Sequence, residues 1–238
     1  MTMHYLPRLS VLYGVIVAGT VFIPVVSAQT TSAPPASKPP ARVHADLKPF
    51  ELSPKAQGGN QVGAASRGRP VPRLYAPFLA KTYTVNPQFH WEADDADAKV
   101  TFHLMTPDGQ TVFETVASGG KLDYPASAPA LKPGTTYRWT VIPGDEDPFA
   151  EIPAPVSFIV VSGAERAAIA SEVASQKDSA AVANVYVNHS LWYDSIQAYS
   201  ALIDRTPTDG SARSLRAQIY EQVPATKPLA TADWAMVH

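Results

Sequence analysis

The chain has no cysteine, almost no net charge and no recognisable catalytic signature, and each absence removes a class of function. Without cysteine among 238 residues there is no disulfide, thiolate metal ligand, thiol nucleophile or lipidated N-terminal cysteine. With 19 Lys+Arg against 21 Asp+Glu, no global field draws the chain to nucleic acid or to an anionic membrane. No Gly-x-Ser-x-Gly, His-Glu-x-x-His or phosphate-cradling glycine loop occurs, and scattered carboxylates cannot be paired by sequence into a glycosidase. The expectation is a non-enzyme with no cofactor.

What is abundant is proline: 23 residues, about twice ordinary usage, concentrated in linkers and turns. Long apolar runs are confined to Val11–Val26, preceded by His4 and Arg8 without an acid and followed by Ser27-Ala28. This predicts a secretory signal peptide over 1–28, too short and too interrupted by Gly14, Gly19 and Pro24 for a spanning helix. The membrane would be met only through that peptide, and the mature chain would be periplasmic or extracellular. Residues 29–80 carry Pro34-Pro35, Pro39-Pro40, Gly58-Gly59 and Arg67-Gly68-Arg69-Pro70 with no sustained hydrophobic period. They read as a disordered, proline-rich basic tether, with seven basic residues against two acidic.

From Lys81 the pattern becomes period two. Phe89 and Trp91 share a parity, as do Val100, Phe102 and Leu104; Thr106-Pro107-Asp108-Gly109 is a turn before Thr111–Val116, and Val156–Val161 is a further strand. In Leu131–Val141, Pro133-Gly134 makes a turn, after which Tyr137, Trp139 and Val141 point to a core while Arg138 and Thr140 point out. Leu131-x-Pro133-Gly134-Thr135-x-Tyr137-x-Trp139-x-Val141 resembles the corner and following strand of fibronectin type III and immunoglobulin-like domains, and Phe89-x-Trp91 resembles their early core strand. The resemblance covers 81–162 and implies an antiparallel β-sandwich in which the Tyr137 hydroxyl ties back to the backbone just upstream. It also implies binding or spacing rather than chemistry. Two connections, one with Asp94, Asp95 and Asp97, the other with Asp145, Glu146, Asp147 and Glu151, fall at one end of such a fold. Asp94, Asp95, Asp97, Asp145 and Asp147 are the candidate ligands for calcium, set against solvated loop ends as the plainer reading.

At Ser162 the period switches to that of helices. Ser162 and Glu165 have the spacing of a capping box, Asp178 is placed to cap a second helix, Ile196, Tyr199, Leu202 and Ile203 stripe a third that Pro207 stops, and Leu215, Ile219, Tyr220 and Val223 stripe a fourth. Ala183-Asn184-Val185-Tyr186 recurs as Ala217-Gln218-Ile219-Tyr220, 34 residues on. The segment 163–238 resembles one degenerate tetratricopeptide repeat and the first helix of a second. So few repeats cannot bury a continuous core alone, so they are expected to pack on the sandwich, on a second copy or on a partner. With the tether and sandwich, Leu191-Trp192-Tyr193-Asp194-Ser195-Ile196 also resembles an uncharacterised family of exported bacterial proteins, best known from cyanobacteria, which has no established activity.

The combined expectation is an exported protein–protein interaction or scaffold protein of the bacterial envelope, binding another envelope protein or itself as a homodimer. Tyr186, His189, Trp192 and Tyr193 are the candidate partner-binding residues. The alternative is a module for envelope polysaccharide or calcium, and a hydrolase stands third.

Overall fold

The computed structural model of the protein describes residues 47–51, 71–93, 95–144 and 152–237. The chain divides into Met1–Pro39 and Pro40–His238, and all described residues fall in the second unit. The expected signal peptide and most of the expected tether lie outside the described residues. Among the described residues there are seven strands, β1 (Ala80–Thr82), β2 (Gln88–His90), β3 (Val100–Met105), β4 (Thr111–Ala117), β5 (Lys121–Asp123), β6 (Thr136–Pro143) and β7 (Val156–Val160). Five α-helices follow among the described residues: α1 (Gly163–Ser175), α2 (Ser179–Asn188), α3 (Trp192–Arg205), α4 (Gly210–Glu221) and, after a 3-10 turn at Pro224–Thr226, α5 (Lys227–Ala235).

A five-stranded sheet in the order β1-β7-β6-β3-β4 faces a two-stranded sheet, β2-β5. Alternation dictates the inner face: Val100, Phe102 and Leu104 on β3, Tyr137, Trp139 and Val141 on β6, and Val156, Phe158 and Val160 on β7 are all buried. Phe89 of the small sheet is the meeting point, with ring centroids 4.9 Å from Phe102, 5.1 Å from Trp139 and 5.7 Å from Phe158. Tyr137 makes the expected corner, its hydroxyl accepting the Lys132 amide at 2.9 Å. Gly134 turns the chain there at φ +79°, a backbone conformation that L side chains rarely adopt.

Three expectations need correction. The sheet is mixed, because β1 pairs in parallel with β7; its opposite edge makes a parallel bridge, Lys81 to Leu191, so the end of the sheet is sealed by the α2–α3 connection. Thr140 does not face solvent: it is buried, with its hydroxyl donating to the Pro153 carbonyl at 2.8 Å. The Ser162–Glu165 capping box does not form; the Glu165 carboxylate instead pairs with Lys81 on the neighbouring strand at 2.9 Å. Asp178, by contrast, caps α2 by accepting the Ala181 amide at 2.8 Å, as expected of an Asp at that position.

The helices pack in succession, α1 on α2, α2 on α3, α3 on α4 and α4 on α5, and α3 also contacts β1 and β2. Tyr193 of α3 enters the sheet core, 5.6 Å from Phe89 and 5.3 Å from Phe158 by ring centroids. One hydrophobic core therefore runs from the sheets into the helices. Among the described residues no helix is long and apolar enough to cross a membrane.

Candidate functional site

Two of the four expected partner-binding residues are core. Trp192 and Tyr193 are 2% and 3% exposed, and Tyr193 accepts the indole N–H of Trp139 at 2.9 Å; burial pushes its phenol well above the ordinary range. Tyr193 faces inward because the first turn of α3 runs against β1 and β2, whereas Trp192 is covered by Phe50. Tyr186 and His189 are half-buried. The Tyr186 ring lies 6.3 Å from that of Tyr83, near parallel, while the Arg166 guanidinium sits 4.3 Å from the Tyr83 centroid and donates to the Tyr83 carbonyl. Tyr83 thus joins α1 to α2 through its ring contacts. His189 Nε2 is 3.0 Å from Glu172 Oε1, linking α2 to α1.

Of the calcium candidates, Asp95 and Asp97 lie in the turn between β2 and β3, where an Asp95 carboxylate oxygen accepts the Asp97 amide at 3.2 Å. Asp94, Asp145 and Asp147 lie outside the described residues. Among those described, no group of three or more metal-ligating side chains converges.

The sequence reading missed the role of Asp194. Its carboxylate, 4% exposed, accepts the Thr82 hydroxyl at 2.9 Å and the Tyr83 amide at 2.8 Å on one oxygen and the Thr84 amide at 2.8 Å on the other. It holds the end of β1 to the first turn of α3. Burial raises its pKa to about 6, against the three hydrogen bonds that favour the anion. With those acceptor positions used internally, the group is a fastener between sheet and helix.

A second feature is a groove on the helical layer that holds a piece of the chain's own N-terminal region. Leu47–Glu51 lies against the end of α2, the start of α3 and the end of α4. Phe50 is 5% exposed, its ring edge-on to Trp192 at 5.8 Å, with Tyr220 a further 6.3 Å from Trp192. The Phe50 amide donates to Gln222 Oε1 at 2.7 Å, the Glu51 amide to Ser190 Oγ at 3.0 Å, and the Lys48 ammonium to the Asn188 carbonyl at 3.5 Å. The groove is built by how α2 ends. The Leu191 amide bonds to the Tyr186 carbonyl and the Ser190 amide to the Val187 carbonyl, both at 2.9 Å, which is the Schellman pattern. That pattern requires a left-handed residue, usually glycine; here it is Ser190 at φ +57°, and its hydroxyl is the acceptor for the segment.

This docking corrects the view of 29–80 as wholly disordered. A signal for it exists: Phe50 is the lone aromatic between Gln29 and Arg73, flanked by Leu47 and Leu52. On another part of the helical layer, a shallow open groove of about 310 Å³ is lined by Lys177, Ser179, Val182, Ala198, Ala201 and Arg205, among others. There Arg205 donates to Ser179 Oγ at 3.2 Å.

Among solved structures, the fibronectin(III)-like modules of Clostridium thermocellum CbhA are similar at 21% identity over 38% of this chain and 97% of theirs, with a TM-score of 0.26. So loose a superposition leaves the strand order described above as the evidence for the fold. No curated protein matches the chain. The profile of a family described as Domain of Unknown Function (DUF928) matches residues 50–231, beginning at the docked Phe50 and ending within α5, and the chain belongs to that family.

Proposed function

We propose that the protein is an exported, non-catalytic interaction or scaffold protein of the bacterial envelope, built from a fibronectin type III-like sandwich and a degenerate tetratricopeptide-like layer. The observation that carries this reading is the docked segment Leu47–Glu51. The helical layer holds an irregular stretch of chain through main-chain hydrogen bonds and one aromatic side chain, which is how grooves recognise peptides. The repeat reading is supported by Ala183 and Ala217, 34 residues apart, both with no exposed surface, and Ser195, equally buried where α2 and α3 approach. The fifth helix gives the second helical pair its second member. Export rests on the N-terminal sequence pattern.

The test is affinity capture from bacterial envelope extracts with the mature chain, in the presence and absence of a synthetic peptide of residues 45–53. A specific protein released by that peptide is the expected outcome. Retention of glycan alone would replace this reading by the polysaccharide one.

A further inference from the structure

We infer that the groove formed by Ser190, Trp192, Tyr220 and Gln222 is a recognition site for irregular segments of other exported proteins, and that residues 47–51 are its built-in competitor. The inference rests on the interaction reading and gives it a site, a ligand chemistry and a means of control. The ligand carries a cation two residues before an aromatic residue, in a segment without regular secondary structure.

Three observations carry it. First, the groove reads the main chain twice, through Gln222 and Ser190, and two side chains, the Phe50 ring and the Lys48 ammonium. The ammonium meets the carbonyl end of α2, where a cation is favoured by the helix dipole. None of these contacts requires that the ligand be part of the same chain.

Second, Ser190 occupies a left-handed position that glycine would fill without strain. A serine there gains nothing for the helix end itself, since the Schellman bonds use only backbone. Its hydroxyl is engaged by the segment, so the strained residue serves the groove rather than the helix.

Third, the competitor is held by few contacts and joined to Val71 through residues 52–70, a stretch of 19 residues. Tethering over a stretch of that length holds the segment near the groove at an effective concentration on the order of millimolar. An external segment making the same contacts is thus outcompeted at micromolar concentration unless it binds more tightly or the resident segment is released.

The experiment is fluorescence anisotropy with a labelled synthetic peptide of residues 45–53, titrated with the full mature chain as wild type and as Phe50→Ala. The peptide is expected to bind Phe50→Ala at least about tenfold more tightly than wild type, as removal of a tethered competitor requires. A peptide carrying alanine in place of Phe50 should not bind. Ser190→Gly, added to Phe50→Ala, should weaken peptide binding several-fold while leaving the melting temperature equal or higher, a combination that a merely structural Ser190 would not give. If Phe50→Ala does not fold, Glu51→Pro, which removes the amide donated to Ser190 together with the Lys48–Glu51 pair and restrains the Phe50 backbone, takes its place with the same expectation. Absence of binding to either folded variant, or equal binding to variant and wild type, overturns the inference and leaves the captured envelope partner to stand or fall separately. A stoichiometric complex between wild type and Phe50→Ala in size-exclusion chromatography would overturn it in favour of a second copy as the occupant.

Discussion

Tyr137, Asp194 and His90 each make a local choice that can be read in a stability measurement. The Tyr137 hydroxyl accepts the Lys132 amide across the turn at Pro133-Gly134. Tyr137→Phe keeps the ring against Phe158, 5.7 Å away by centroids, and removes that bond alone, so urea denaturation should show a loss of about 1 kcal/mol. This contact was legible in the sequence because turn, tyrosine and tryptophan stand at fixed offsets. Asp194 and His90 were not, because burial of a polar side chain depends on what packs over it. His90, on the opposite parity from Phe89, is half-buried and bonded to Gln88 Oε1 at 2.7 Å. Burial, with the Lys121 and Arg216 cations nearby, lowers its pKa to about 4, Asp123 opposing. Its neutral form is favoured by folding, so its contribution is full above about 6.5 and is lost as pH falls through about 4. Asp194 runs the other way: with a folded pKa of about 6, its contribution is full below about 3.8 and is lost as pH rises through about 6. The two oppose each other between pH 4 and 6. His90→Gln should therefore gain stability relative to its own pH 7 value on acidification to pH 4.5, and Asp194→Asn should lose more than wild type over the same interval. Parallel urea titrations of the three proteins would reveal equal slopes if these groups do not titrate in that window.

At the scale of elements, alternation and helix stripes were sufficient for the longer pieces and insufficient for the short ones. β3, β4, β6 and β7 announce themselves by five or more residues of alternating or apolar pattern, whereas β1, β2 and β5 are three residues each, and of these only β2 was legible, through the shared parity of Phe89 and Trp91. α5 lacks an apolar stripe, its start marked only by Pro228 in the first turn; Ala230 and Leu229 reach the core, and a buried ion pair adds to that packing. Arg216 of α4 meets Asp233 of α5 with both carboxylate oxygens, at 2.8 and 2.7 Å, and donates to Ser200 of α3 at 2.7 Å. Asp233 is 5% exposed, so its charge relies on Arg216, with Arg213 more distant at 3.9 Å. Arg216→Met should destabilise by about 3–5 kcal/mol, since it leaves a buried carboxylate without its main partner. The double change Arg216→Met with Asp233→Leu should recover most of that loss. Thermal melting of the two variants separates this from simple loss of packing, for which the second substitution would give no recovery.

For the whole molecule, the change of period at Ser162 marks a change of element type, and the side chains on either side of it complete one another. Trp192, Tyr193, Ile196 and Tyr199 are all at most 3% exposed. Tyr193 is enclosed by Phe89, Phe158 and Trp139 from the sheets, and Asp194 is satisfied by Thr82, Tyr83 and Thr84. Cutting the chain at Ser162 would expose the large apolar side chains, each worth about 1.5–3 kcal/mol when buried, and strand the Asp194 carboxylate without its donors. Against a net stability on the order of 5–15 kcal/mol for a domain, the loss of two or three such contacts is decisive for the helical half. A fragment of residues 163–238 should therefore lack a cooperative thermal transition by circular dichroism at 222 nm. Addition of a separately produced 71–162 fragment should restore the transition if the shared core is what the helices lack. A sharp, concentration-independent melt of the helical fragment alone would mean that the stacking of α2 to α5 is sufficient without the sheet. The role of Tyr193 and Asp194 would then be orientation of the two layers rather than their stability.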